Sequence, residues 1–167
     1  MIELLERVTI EELDWKKVLA TGLIGATFAL GTPSFASSVV IDMKKLAKIE
    51  SSNNPRAVSY KGAKYGRGLY QVSEKVLKEW NDYHPHEKYI ADDLFDPEIN
   101  RKIATWYLYV RIPYMLRYYK VPDTVEHRLI AYNWGIGNLV DWYRAGADYN
   151  KLPKETRDYL KKYAGNS

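Results

Sequence analysis

The sequence predicts a mainly α-helical domain with room for at most a short β-hairpin. Apolar residues recur at three- and four-residue spacings from Val39 onward, and helix-start signals precede most of those stretches. The apolar–polar alternation that marks a half-buried strand is missing, which leaves only Tyr60 to Leu69 for a hairpin. At 167 residues, with 46% hydrophobic and 28% charged side chains, the chain can bury one sizeable core, and disorder is excluded as its main theme. There is no cysteine, hence neither a disulfide framework nor a thiolate metal site, and that absence is neutral about export.

Residues 1–36 read as a separate segment preceding a domain over 37–167. No residue between Lys17 and Asp42 is charged. Val18 to Leu30 is a compact apolar run behind Lys16 and Lys17, and Ser34-Phe35-Ala36 has the small-residue spacing of a signal peptide cut after Ala36. The stretch before the run is acidic on balance where a positive one is expected, and the run is short of the roughly 20 residues of a spanning helix. A cleaved signal, an uncleaved anchor touching membrane through residues 18–41, and a packed helix all fit this composition.

Val39, Met43 and Leu46 lie on one face of the first helix of the domain, and the next position on that face is Glu50. A carboxylate thus stands where a core residue belongs, in a last helical turn at the negative end of the macrodipole. Burial and dipole both favour the protonated form, which is what a general acid needs at neutral pH. Ser51, Ser52, Asn53, Asn54 and Pro55 stop the helix, and Gly62, Gly66 and Gly68 then allow close backbone approach. An acid at a helix end facing a glycine-rich turn suggests the wall of a cleft.

Ser73 with Glu74 starts a helix whose apolar side is Val76, Leu77 and Trp80, ending near Tyr83. His84-Pro85-His86 lacks a third ligand nearby and reads as an exposed turn, and His127 stands alone within a helix, so no metal is expected. Asp96-Pro97 caps the longest helix, with Ile99, Ile103, Trp106, Tyr107 and Val110 as a buried stripe and Pro113 kinking or ending it near Ile112. Asp123 with Glu126 reads as the cap of a helix that delivers Tyr132 and Asn133 at its end. Gly135 and Gly137 turn the chain, and Asn138 starts a short helix with Leu139, Val140 and Trp142. Pro153 opens the last helix, which places Thr156, Tyr159 and Tyr163 on one face.

Four stretches in this order resemble the motifs of the soluble lytic transglycosylase family, a lysozyme-like group that cleaves peptidoglycan. They are Glu50 to Ala57 (ESSNNPRA), Gly68 to Val72 (GLYQV), Ala131 to Asn138 (AYNWGIGN) and Leu152 to Tyr159 (LPKETRDY). The likeness spans about Val40 to Tyr163. The family usually carries an aromatic at Asn53, methionine at Tyr70, alanine at Trp134 and proline at Ile136, and this chain is about three residues longer around Tyr65, Gly66 and Arg67.

The resemblance implies a lysozyme-like transglycosylase domain, without cofactor or metal, that cleaves the bond between N-acetylmuramic acid and N-acetylglucosamine. It implies Glu50 as the single acid and base, with the sugar's own 6-hydroxyl closing on the anomeric carbon to give a 1,6-anhydro product. Ser59, Gln71, Asn133 and Tyr159 would then surround the bond, while Tyr132 and Trp134 could stack on sugar faces. A goose-type hydrolytic muramidase is the first rival, needing a second carboxylate from Asp92, Asp93 or Asp96. A wall-binding or virion-associated module, its cleft filled by Asn53, Tyr70 and Trp134, is the second. The expected partner is the peptidoglycan glycan strand, met by a monomer in the periplasm or cell envelope, or on a phage particle. Without residues 1–36 the chain has 22 basic and 16 acidic residues, a charge of plus six that suits an anionic wall. No nucleic-acid motif accompanies it.

Overall fold

The first helix, α1 (Met43–Ser51), begins where the Asp42 carboxylate accepts the Lys45 N–H at 3.0 Å. It therefore starts after Val39, and Ile41, 3% exposed, takes the core position ahead of it. The computed structural model describes residues 39–165; the expected segment 1–36 and its cleavage point lie outside them. Ser51 is still helical, and Ser52 and Asn53 end the helix in the left-handed region at φ 55° and 61°.

Ser73 caps α2 (Glu74–Tyr83) through the Val76 N–H. Asp96 caps α3 (Pro97–Trp106) through the Glu98 and Ile99 N–H groups, with Pro97 in the first turn. Beyond α3 the chain does not stop at Pro113. A π-helical stretch, Tyr107–Arg111, leads directly into α4 (Ile112–Tyr118), and the Ile112 N–H reaches back to the Tyr107 carbonyl. Proline has no N–H for the carbonyl four residues before it, and the wider turn shifts the bonding register by one so that the helix continues. One side of this passage is deeply buried: Ile103, Trp106, Leu108, Ile112 and Leu116 are each 0 or 1% exposed.

Thr124, rather than Asp123, caps α5 (Val125–Trp134), accepting the His127 N–H at 3.1 Å. Asp123 instead receives the Arg128 guanidinium through both oxygens, at 2.6 and 2.8 Å. Gly135, at φ 97°, separates α5 from α6 (Ile136–Arg144), so Gly137 lies inside a helix rather than at the turn. Pro153 precedes α7 (Lys154–Ala164), and Gly165 ends it in the left-handed region. Helix α7 packs on α1 and α5, and α5 packs on α4 and α6.

Among the described residues there is no strand. The region read as a hairpin holds isolated antiparallel bridges, Val58 with Arg67 and Arg67 with Val72, and a short 3-10 turn at Ala63–Tyr65. The mainly helical fold is as the sequence predicts. No helix among the described residues is long and apolar enough to cross a membrane.

Candidate active site

Two tyrosine hydroxyls pin the chain entering α1. That of Tyr109 accepts the Ile41 N–H at 2.8 Å and donates to the Ile41 carbonyl at 3.1 Å, and that of Tyr163 accepts the Asp42 N–H at 2.7 Å. At the other end of α1 the Ser51 hydroxyl donates to the Leu69 carbonyl at 2.8 Å, tying the helix to the Gly68–Gln71 turn. Glu50 is held between these anchors, in the last turn of α1.

The Glu50 carboxyl faces a cleft of about 570 Å³. Burial pushes its pKa from the ordinary 4.5 up to about 7, against the opposing pull of a hydrogen bond that the Tyr159 hydroxyl donates to Oε1 at 2.6 Å. With Oε1 occupied by Tyr159, the second oxygen is the one left to carry a proton into the cleft.

All six residues singled out in the sequence, Glu50, Ser59, Gln71, Tyr132, Asn133 and Tyr159, line this one cleft. They come from five separate parts of the chain: α1, the loop at Ser59, the Gly68–Gln71 turn, α5 and α7. Asn133 accepts the buried Thr156 hydroxyl on its Oδ1 at 3.0 Å, which turns the amide NH₂ of Asn133 away from α7. The Tyr132 hydroxyl donates to the Tyr70 carbonyl at 2.7 Å and its ring packs on Tyr107, so it is a fixed wall rather than a mobile platform. Gln71, in the left-handed region at φ 50°, donates its amide to the Gly68 carbonyl at 2.9 Å and the Ala57 carbonyl at 3.2 Å. The Ser59 hydroxyl accepts the Lys61 N–H at 3.3 Å.

Other residues behave differently from the expectation. Trp134 does not line the cleft, and neither do Asn53 or Tyr70. Tyr70 is 4% exposed, with its ring turned into the core. Asp92, Asp93 and Asp96 are also outside the cleft: Asp93 accepts the Ile90 N–H and Asp96 caps α3. The second carboxylate that does line it is Glu155, whose place in the cleft depends on how α7 crosses it and so has no signal in the local sequence. Lys61 and Lys162 bring positive charge to the same surface.

Asn100, on α3, is not among the residues singled out in the sequence. It is wholly buried and makes three hydrogen bonds: Oδ1 accepts the Tyr70 N–H, and Nδ2 donates to the Arg67 and Leu94 carbonyls, each at 2.8 Å. Gly68, at φ 73°, lies against it, and a Cβ there would stand 2.0 Å from the Leu94 carbonyl oxygen. A polar residue on the buried stripe of α3 is the signal that could have found this clamp.

Neither histidine site is built for a cation. His84 stacks on Trp80 at 3.7 Å with Nδ1 on the Trp80 carbonyl, and His127 Nδ1 meets the Pro122 carbonyl. Among the described residues no cluster of histidine and carboxylate side chains could hold a metal ion.

The Transglycosylase SLT domain family matches residues 41–155, which takes in α1, the Gly68–Gln71 turn, α5 and the start of α7. The chain belongs to this family. Membership brings together a peptidoglycan-directed domain and the cleft described above. Comparison with curated proteins and with solved structures gives no match.

Proposed function

We propose that this SLT-domain protein is a peptidoglycan lytic transglycosylase that breaks the β-1,4 bond from N-acetylmuramic acid to N-acetylglucosamine without water. The observation that carries the reading is a Glu50 carboxyl raised to about 7 in a cleft whose one other carboxylate among the described residues, Glu155, is paired with Lys61. In the first step Glu50 gives its proton to the glycosidic oxygen, and the bond from that oxygen to C1 of the muramic acid breaks through an oxocarbenium-like transition state. In the second, the 6-hydroxyl oxygen of the same sugar bonds to C1 and its proton returns to Glu50. The products are a 1,6-anhydro end and a free N-acetylglucosamine hydroxyl, and the carboxyl is restored.

Tyr159 holds the carboxyl so that one oxygen faces the substrate through both steps. The NH₂ of Asn133, with its oxygen held by Thr156, is a donor for the substrate's N-acetyl carbonyl. Ser59, Gln71 and Tyr132 shape the surrounding wall, and many small contacts of this sort accelerate a reaction when they tighten in the transition state.

A hydrolytic muramidase would use Glu155 to activate water; that carboxylate is paired with Lys61 at 2.8 Å in an exposed contact, and the chemistry of the released ends decides between the two readings. A cleft-filled structural module is disfavoured because Asn53, Tyr70 and Trp134 leave the cleft open. We place the activity in the cell envelope, reached by export through residues 1–36, or on a phage particle that opens the wall.

Mass spectrometry of fragments released from purified peptidoglycan tests the reading. The full chain is expected to release fragments ending in 1,6-anhydromuramic acid, and Glu50→Gln to lower their yield by about 10²- to 10⁴-fold, the usual worth of a positioned acid and base. Reducing ends in place of anhydro ends would mean hydrolysis.

A further inference from the structure

The two walls of the cleft are joined by a contact that nothing in the cleavage chemistry uses. From one wall, Lys61 Nζ donates to both oxygens of Glu155 on the other, at 3.1 and 2.8 Å, and the Tyr60 hydroxyl donates to the same carboxylate at 3.4 Å. Lys61 also sits 5.3 Å from the centre of the Tyr60 ring. Both Lys61 and Glu155 are among the residues lining the cleft, so this bridge spans the space in which a glycan strand would lie.

The loop that carries Lys61 is built to hold its shape. The Ser59 N–H donates to the Gly66 carbonyl at 3.0 Å and closes the base, while the Gly62 and Tyr65 N–H groups donate within the loop at 2.8 and 3.0 Å. Only its tip depends on α7. Tyr60 is 83% exposed, and the ion pair is open to water, with side chains 46 and 54% exposed. Such a pair favours the joined form over the parted one by no more than about fivefold.

We infer that the Ser59–Gly66 loop is a strap, latched to α7 by Lys61 and Glu155, that decides how a glycan strand gains access to the cleft. This rests on the cleavage reading above. With the latch closed, a strand threads in by its end. With it open, the middle of a strand can be laid in from the side. The latched protein therefore cuts mainly from strand ends, and its share of internal cuts is set by the strength of one exposed ion pair.

The test compares the full chain, Lys61→Met and the charge exchange Lys61→Glu with Glu155→Lys, each on intact wall sacculi. The ratio of long glycan fragments to terminal disaccharides is sized early in the digestion. Lys61→Met is expected to raise that ratio by about two- to fivefold, the most that an exposed pair can withhold, and the exchange to bring it back towards the original. An unchanged ratio, or lower cleavage at the same ratio, would overturn the inference and make Lys61 a plain surface or substrate contact. Amide exchange over residues 60–65 reads the latch without any cleavage: it should quicken in Lys61→Met and slow again in the charge exchange, and equal rates in all three proteins overturn the latch. If the unaltered chain releases no fragments, the cleavage reading and the access role fall together, and amide exchange still decides whether the latch exists.

Discussion

Glu50 is the residue at which burial, position and partner all act on one proton. Burial raises its pKa to about 7 and the Tyr159 hydroxyl pulls the other way. In the proposed reaction cleavage starts from the protonated acid, so the rate at limiting substrate should be level on the acid side and fall as pH rises through about 7. Tyr159→Phe removes the donor that favours the charged form. In that variant the falling limb should move to higher pH, while the maximal rate drops about tenfold for the lost hydrogen bond. A pH profile that does not move would mean that Tyr159 packs against the acid without governing it. Glu50 and Tyr159 were both legible in the sequence, one as a carboxylate on an apolar face and the other through its motif. Glu155 carries equally plain chemistry but was not legible as a cleft residue, because its importance comes from Lys61, 94 positions away in the chain.

The elements hold the site through contacts that are mostly polar and buried. Asn100 on α3 clamps the turn that carries Gln71, and replacing it by alanine leaves the Tyr70 N–H and two carbonyls without their partner. Unsatisfied buried groups of this kind cost about 1–3 kcal/mol each. Asn100→Ala should therefore destabilise the protein by about 3–5 kcal/mol in denaturant unfolding, near the limit of what a single substitution does. Cleavage should fall in the same variant, since Gln71 is released with the turn. Gly68→Ala should be at least as harmful, because a positive φ and a contact of 2.0 Å with the Leu94 carbonyl oxygen oppose any side chain. Helix starts at Ser73 and Asp96 were legible because the cap adjoins the helix in sequence. The start of α1 at Asp42, the cap at Thr124 and the π-helical passage before Pro113 were not, since each is settled by what the ends of the helix meet in the folded chain. Thr124 wins the cap, for example, because Asp123 is drawn to Arg128.

At the scale of the whole molecule, the carboxyl that the proposed chemistry needs works against the stability of the fold. In the unfolded chain Glu50 has its ordinary pKa of 4.5, and in the folded protein about 7. Between those values the folded state binds more protons than the unfolded one, so stability declines as pH rises through this window and is undisturbed by this group below it. At about 1.4 kcal/mol for each pH unit of displacement, the folded protein forgoes about 3 kcal/mol once the carboxyl is charged. Glutamine cannot charge. Glu50→Gln should match the unaltered protein in denaturant midpoint near pH 4, pull ahead between pH 4.5 and 7, and stay more stable by about 3 kcal/mol above that. A variant that loses cleavage while gaining stability only on the alkaline side would tie both effects to the same buried carboxyl. If the two stability curves instead run parallel at every pH, Glu50 is not desolvated in the folded protein, and the proton for the leaving oxygen must come from elsewhere.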